Sequence, residues 1–230
     1  MFDDVKEIED GLILPVYKPL FWSSFDVIKT IRFFFKKKYG LKKIKVGHAG
    51  TLDPLATGLL LVCTGKKTKQ IEKLQALKKT YYTTFHFGAT TPSFDLETSI
   101  DKRFDFSHVN EHDILTTTEK FLGKTWQTPP IYSALKQNGE RLYSLARKNK
   151  SAKIAKREIC IYEFNIEEMQ LPKIKFEIVC SKGTYIRSIA NDFGSELNSG
   201  GYLSRLKRIG IGNFCLKDAI DIDSFSSILN

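Results

Sequence analysis

Apolar positions at helical spacing predict a series of helices. One begins at Ser24, which we expect to cap it, and continues to about Tyr39, where Gly40 follows as a stop signal. Residues 110–123 and a short segment that ends near Gly194 are expected to form two more. The first and last of these helices are expected to bury Val27, Ile28, Ile31, Phe34 and Phe35, and Ile186, Ile189, Ala190 and Phe193, respectively.

Strand signals lie between these helices. Residues 56–64 form a continuous apolar run, typical of a buried strand, and a lysine-rich helix is expected after it, to about Ala76. Further strands are predicted at 11–19 and 79–88. Residues 173–180 alternate between polar and apolar, which places Ile174, Phe176, Ile178 and Cys180 on one buried face. Because strands and helices do not alternate regularly as in βαβ units, the pattern favours an α+β fold over a doubly wound one.

The composition narrows the class of protein. The 230 residues carry 36 Lys and Arg against 26 Asp and Glu, a formal net charge of +10. Such a charge predicts either a polyanionic partner or merely a lysine-rich solvated surface. No apolar run approaches the roughly 20 residues of a membrane span, and the acidic amino terminus argues against a secretory signal. The cysteines are widely spaced and no metal-binding motif occurs, so we expect no metal site and a cytoplasmic location.

The motifs of nucleotide-binding proteins and serine hydrolases are missing. Gly58 and Gly65 precede Lys66 but are separated by six residues rather than four, so the phosphate-loop pattern fails. Neither G-x-G-x-x-G nor G-x-S-x-G occurs. Basic and aromatic residues are interleaved along the chain instead, a combination that favours RNA as the polyanion. One acid, Asp53, lies in the short "TLDP" stretch before the buried strand, where in isolation it would be interpreted as a turn-former.

Five sequence blocks carry a resemblance to a known family. In chain order, between residue 12 and about residue 214, they read "GHAGTLDPLATG", "KTYYTTFHFGATTPSFD", "PPIYSALKQNGERLYSLAR", "CSKGTYIRS" and "LSRLKRIGIGNF". Each is similar to the corresponding block of the TruB family of tRNA pseudouridine synthases. The resemblance implies the pseudouridine synthase fold, an α+β architecture with a bent, mostly antiparallel or mixed sheet flanked by helices. It also implies that residues 1–230 form a single catalytic domain.

The same resemblance implies a base exchange on RNA that needs no cofactor and no metal. Uridine 55 in the T loop of tRNA would become pseudouridine. In this reaction the bond from N1 of the base to the ribose breaks, the base rotates, and it rejoins the ribose through C5. Since the target lies inside a folded loop, the nucleotide would be flipped into a pocket. Asp53 matches the family's catalytic aspartate and would act as the nucleophile or as an ion-pair stabiliser. Its position between Leu52 and Pro54 would limit its excursions, since a misplacement of about 1 Å can cost 10²-fold in rate.

Five further residues take roles from the family's motifs. Arg187 in "TYIR" matches the arginine that pairs with the catalytic aspartate and keeps it ionised. Tyr81 in "KTY" matches the tyrosine that stacks on the flipped base and assists removal of the C5 proton. His48 matches a residue that contacts the extruded loop, Tyr185 lies beside the pocket, and Leu206 matches the apolar wall near the target base. Ordinary packing is the alternative interpretation for Tyr81, Tyr185 and Leu206.

Recognition of the RNA is expected to rest on one part of the tRNA. Residues of about 124–155 would correspond to the family's insertion that clasps the T loop. We expect no counterpart of the C-terminal RNA-binding (PUA) domain that many members carry, so the T stem-loop would supply most of the contacts. We expect a monomer that needs neither a protein partner nor a membrane. Two alternatives stay open: a pseudouridine synthase for another RNA, and a non-catalytic RNA-binding or RNA-folding protein.

Overall fold

Helices and strands follow one another irregularly along the chain, as the sequence predicts. The structure, a computed structural model, describes residues 5–41, 43–137, 139–148 and 154–227. The helices are α1 (Val5–Asp10), α2 (Ser24–Tyr39), α3 (Ile71–Ala76), α4 (Glu111–Lys120), α5 (Leu142–Arg147), α6 (Ile186–Glu196) and α7 (Ile222–Ser227). The strands are β1 (Ile13–Lys18), β2 (Val46–His48), β3 (Ala56–Thr64), β4 (Lys79–Phe87), β5 (Ala89–Thr90), β6 (Lys102–Arg103), β7 (Gly123–Gln127), β8 (Lys136–Gln137), β9 (Glu140–Arg141), β10 (Arg157–Gln170), β11 (Lys173–Cys180), β12 (Gly201–Ile211), β13 (Phe214–Cys215) and β14 (Ile220–Asp221). None of the described helices combines the length and the apolar character needed to cross a membrane.

The chain divides into two compact units. The first comprises Met1–Tyr81 and Leu206–Asn230, and the second comprises Tyr82–Arg205. Both divisions fall inside strands, β4 and β12. The single domain expected over residues 1–230 stays a prediction.

Strand β3 lies at the centre of the first unit. Strands β1 and β2 pair with it antiparallel, residues 206–208 of β12 pair with it in parallel, and β14 extends the sheet beyond β1. Both faces of β3 are covered: Leu60 and Val62 belong to the core beneath α2, whereas Leu59 and Leu61 belong to a second core with Leu74 of α3. A strand buried on both faces needs an unbroken apolar run, and the strand predicted at 56–64 is confirmed.

Helix α2 packs on one face of this sheet. The apolar face predicted for it is confirmed, since all five of its members are buried. The predicted cap is wrong by one residue. Ser23 is the N-cap, because its hydroxyl accepts from the N–H of Asp26 while the Asp26 carboxylate accepts from the N–H of Ser23. Ser24 is buried and has a different task, described with the site below.

The second unit is built on the strand order β4–β11–β10–β7. Strand β10 is antiparallel to both of its neighbours. A cluster of phenylalanines fills the core: the rings of Phe85 and Phe176 are centred 4.8 Å apart, those of Phe164 and Phe176 4.9 Å apart, and Phe193 of α6 packs against all three. The alternating strand predicted at 173–180 is confirmed, and so is the buried face of α6. Antiparallel pairs predominate among the described strands and helices flank them, which confirms the α+β class.

Two predicted helices differ from the observed ones at their ends. The helix expected at 110–123 is capped by Asn110 but ends at Lys120, because the chain must turn to begin β7 beside β10. The lysine-rich segment after β3 opens as a 3₁₀ turn (Gly65–Gln70) before α3 continues to Ala76. Within the expected RNA-clasping segment 124–155, most of β7, the β8–β9 pair and α5 are described, whereas 138 and 149–153 lie outside the described residues.

Candidate active site

Asp53 lies in a tight turn immediately before β3. The turn is closed by the N–H of Ala56, which donates to the carbonyl of Asp53 at 3.0 Å. Asp53 is half-buried, so its backbone is fixed in the turn while part of the residue stays reachable from solvent. A carboxylate that must approach a substrate atom needs this combination of fixed position and access.

A single hydroxyl holds the residue before Asp53. The Ser24 Oγ accepts from the N–H of Leu52 at 2.8 Å and donates to the carbonyl of Leu52 at 3.1 Å. Both hydrogen bonds are buried, and they join the start of α2 to a loop 28 residues further along the chain. Backbone groups of a loop are costly to bury without partners, so Ser24 allows the turn to pack against α2.

Two buried cations brace the same loop. The Nζ of Lys18 donates to the carbonyl of Trp22 at 2.6 Å and to that of Pro54 at 3.5 Å. The guanidinium of Arg208 donates to the carbonyl of Leu59 at 2.8 Å and to that of Gly50 at 3.1 Å. Both side chains are almost fully buried. The loop from Gly50 to Pro54 is therefore held at its beginning, middle and end.

The charge of Lys18 is coupled to Asp53. Burial lowers the pKa of Lys18 from its ordinary value of 10.5 to about 8, and the negative charge of Asp53 opposes that fall. Arg208 lowers the pKa of Lys18 further, because the two cations share this part of the unit. Positive charge on Lys18 therefore lies close enough to Asp53 for the two groups to interact.

Three more of the predicted residues belong to the first unit. His48 ends β2 and is half-buried, and its pKa is lowered by burial and then by the charge of Arg208, which favours the neutral imidazole. Leu206 is half-buried and pairs with Ala56 of β3. Ala56 lies three residues after Asp53 in the chain. Leu206 therefore lies beside the start of β3, close to the Asp53 turn, whereas His48 lies opposite Val62 further along β3. Tyr81 lies on β4 and is 8 % exposed.

Arg187 lies in the second unit, at the first turn of α6. Its guanidinium is 3 % exposed, forms an ion pair with the Asp95 carboxylate (Nε to Oδ2, 3.6 Å), and donates to the carbonyl of Ser93 at 3.1 Å. Asp95 is fixed in turn, because it accepts from the Ser93 hydroxyl at 2.6 Å and from the N–H of Glu97 at 2.9 Å. Asp95 ends the family block "KTYYTTFHFGATTPSFD", but its pairing with Arg187, 92 positions away along the chain, is not visible in the sequence.

The backbone between Ser93 and Asp95 is strained. Phe94 has φ of 63°, in the left-handed region that disfavours side chains other than those of Gly, Asn and Asp. That conformation turns the chain so that the carbonyl of Ser93 and the carboxylate of Asp95 reach the same guanidinium. We call the Ser93 carbonyl and the Asp95 carboxylate, which together hold the guanidinium, the clamp on Arg187, and the strain at Phe94 accompanies it.

Tyr185 precedes α6 and is half-buried. Its backbone is held by the Gln127 amide, which accepts from the N–H of Tyr185 at 2.8 Å and donates to its carbonyl at 3.0 Å. The guanidinium of Arg157 lies 5.6 Å from the centre of the Tyr185 ring. Since Gln127 ends β7, the beginning of the 124–155 segment is attached to the start of α6.

The predicted site residues thus fall into two groups. Asp53, His48, Tyr81 and Leu206 belong to the first unit, and Arg187 and Tyr185 belong to the second. The pairing of the predicted nucleophile with the predicted arginine stays a prediction. Among the described residues, no group of three or more His, Cys, Asp or Glu side chains could hold a metal ion.

Comparison with known families decides the class of this protein. The sequence profile of the TruB family pseudouridylate synthase (N terminal domain) matches residues 36–186, more than half of the chain. The chain belongs to the TruB family. A tRNA pseudouridine synthase B of Flavobacterium johnsoniae is 52% identical over 225 residues, covering 97% of this chain and 98% of the relative. The corresponding protein of Phocaeicola vulgatus is 46% identical over 222 residues, covering 96% of this chain and 94% of the relative.

Solved structures of this fold are more distant in sequence. The chain superposes on one in a Cbf5–Nop10–Gar1 complex with a TM-score of 0.68 at 24% identity, covering 94% of this chain and 54% of the other. A chain of an H/ACA ribonucleoprotein bound to a substrate RNA gives a TM-score of 0.67 at 22% identity, with 94% and 52% covered. The TruB-family chain spans about half the length of these solved chains. At such identities the likeness shows the fold alone.

Proposed function

We propose that this TruB-family protein is a tRNA pseudouridine synthase that converts uridine 55 of the T loop into pseudouridine. Relatives of 44–52% identity over nearly the whole chain carry the name tRNA pseudouridine synthase B. The observation that carries the proposal is the Asp53 carboxylate, half-buried in a turn that Ser24, Lys18 and Arg208 brace. These contacts fix the backbone on both sides of Asp53, which supports a role that needs this acid in one position.

The reaction is an isomerisation that one carboxylate can serve. The bond between C1′ of the ribose and N1 of uracil breaks, the base rotates, and a bond between C1′ and C5 forms. C5 then loses its proton while N1 gains one, so no electrons, water or cofactor enter the balance. Asp53 would act as the nucleophile and form a bond to C1′ of the ribose or to C6 of the base, and this bond would break again before pseudouridine is released.

The remaining residues would position and protect this step. Arg187 would pair with the ionised Asp53, held in place by its own contacts with Asp95 and Ser93. Tyr81 would stack on the flipped base and assist proton removal from C5. Tyr185 would lie beside the pocket. Leu206, opposite Ala56 at the start of β3, would contact the base, and His48, opposite Val62, would contact the extruded loop.

The RNA substrate and the cellular location of the protein follow from the same proposal. The T stem-loop of tRNA would supply the recognised structure, contacted in part by the 124–155 segment, whose described portion is anchored to α6 through Gln127. The formal charge of +10 supports affinity for phosphates. The protein would act in the cytoplasm as a monomer without an obligatory protein partner.

The test is chemical mapping of pseudouridine in a defined substrate. Purified protein is incubated with an unmodified tRNA transcript, with its isolated T stem-loop, and with a transcript that carries cytidine at position 55. We expect pseudouridine at position 55 in the first two RNAs and nowhere in the third. Modification at other positions would favour a different RNA substrate, and no modification with intact binding would favour a non-catalytic RNA-binding protein.

A further inference from the structure

Phe21 combines a strained backbone with an unusual exposure. Among the described residues other than glycine, positive φ angles occur at Phe21 (66°), Phe94 (63°) and Asn198 (52°). Asparagine tolerates this region, and the turn at Phe94 is tied to the clamp on Arg187. At Phe21 the side chain adds strain to a backbone conformation that glycine would adopt freely.

Burial does not compensate for this strain. The Phe21 side chain is 73 % exposed, more than any other large apolar side chain among the described residues. Trp126 follows at 65 % and Phe33 at 59 %. An aromatic ring that contributes so little to the core, at a position that glycine would occupy more easily, indicates a role outside the folding of the unit.

The ring is attached to the Asp53 turn. The N–H of Phe21 donates to the carbonyl of Pro54 at 2.8 Å, and Pro54 directly follows the proposed nucleophile. The same carbonyl accepts from Lys18, whose Nζ also holds the carbonyl of Trp22, the next residue after Phe21. The backbone on both sides of the exposed ring is thus fixed to the elements that fix Asp53.

We propose that Phe21 is a stacking platform for an unpaired nucleobase of the RNA substrate, next to the nucleotide that reaches Asp53. Any base has a face that an aromatic ring can accept, and extrusion of one nucleotide from a folded loop leaves neighbouring bases unstacked. The rigid backbone presents the ring at little cost in conformational entropy. This inference rests on the proposed function, because it assumes an RNA loop at the Asp53 turn.

The experiment is equilibrium binding of a T stem-loop RNA to variants built on Asp53→Asn, so that no chemistry disturbs the measurement. Phe21→Leu keeps an apolar side chain and the same backbone restriction but removes the ring, whereas Phe21→Tyr keeps the ring. We expect Phe21→Leu to weaken binding about 5- to 150-fold, the equivalent of roughly 1–3 kcal/mol for one stacked base. Phe21→Tyr is expected to bind within about twofold of the Asp53→Asn parent.

Two further variants test whether the lost affinity comes from a ring at this position. Phe33→Leu on α2 removes an exposed ring away from the Asp53 turn and is expected to leave affinity unchanged. Phe21→Gly is expected to raise the midpoint of thermal unfolding, because the backbone strain is relieved, while it weakens binding as Phe21→Leu does. Equal affinities of Phe21→Leu and Phe21→Tyr, equal losses in Phe21→Leu and Phe33→Leu, or a lower unfolding midpoint of Phe21→Gly would each overturn the inference.

Failure of this inference is distinguishable from failure of the proposed function. If the function is wrong, the protein with Asp53 and Phe21 intact forms no pseudouridine in the same stem-loop. If only the inference is wrong, that protein forms pseudouridine and Phe21→Leu binds the RNA as its parent does.

Discussion

The Ser24 hydroxyl forms hydrogen bonds with both the N–H and the carbonyl of Leu52, and replacing Ser24 by Ala removes both. The N–H and the carbonyl of Leu52 would then be buried without these partners, at about 1–3 kcal/mol for each group. We expect the free energy of unfolding to fall by about 2–6 kcal/mol, compared with about 5–15 kcal/mol for a domain of ordinary stability. Because Leu52 precedes Asp53, we also expect the carboxylate to shift, and a shift of about 1 Å lowers the rate of chemistry by roughly 10²-fold.

Ser23→Ala is the matched control. Ser23 caps α2 through Asp26, so its loss is expected to cost about 0.5–2 kcal/mol of stability without touching the loop. Urea denaturation gives the stability of both variants, and single-turnover pseudouridine formation with a T stem-loop gives the rate. Ser23→Ala is expected to keep the wild-type rate within about twofold. A Ser24→Ala variant that is destabilised but reacts as fast as Ser23→Ala would refute the claim that Ser24 positions Asp53.

Three more predictions follow from the site. Tyr81→Phe is expected to lower the single-turnover rate by about 10²-fold with little change in RNA affinity, and an unchanged rate would limit Tyr81 to stacking. Asp95→Asn breaks a buried ion pair with Arg187. We expect urea denaturation to show a free energy of unfolding lower by about 3–5 kcal/mol. A loss below about 1 kcal/mol would show that Asp95 does not hold Arg187. Folding lowers the pKa of Lys18 from 10.5 to about 8. Between these pH values the native state binds fewer protons than the unfolded state. The free energy of unfolding is therefore expected to rise with pH across this range. Asp53→Asn should lower the Lys18 pKa further, as measured by NMR titration of its Nζ, whereas an unchanged or higher pKa would contradict the coupling.

Local patterns predicted the parts of the fold that depend on neighbouring positions. Strand β3 was predicted with its observed bounds, because a strand covered on both faces needs an apolar run. Strand β11 was predicted from its alternation, which is regular. Strand β10 was not predicted, since register shifts between Ile161 and Glu163 and between Ile166 and Glu168 interrupt its alternation.

The residues that hold the site in place could not be found in this way. Arg208 lies in the family block "LSRLKRIGIGNF", but its contact with Gly50, 158 positions away along the chain, is not visible in that block. Ser24 was predicted as a helix cap, because two adjacent serines fit the capping pattern equally well and only the packing of Leu52 separates them. Family motifs pointed to Asp53 and Arg187, whereas the side chains that position them are visible only in the fold.

The most direct test is a comparison of Asp53→Asn with the wild-type protein on the same T stem-loop, with the single-turnover rate and the dissociation constant measured in the same buffer. The amide preserves the volume of the side chain and removes the anion, while RNA affinity should depend mainly on phosphate contacts. If Asp53 is the nucleophile, the variant binds within about twofold of wild type and forms pseudouridine at less than about 1% of its rate. A variant that binds equally well and retains more than that rate would show that Asp53 does not perform the chemistry.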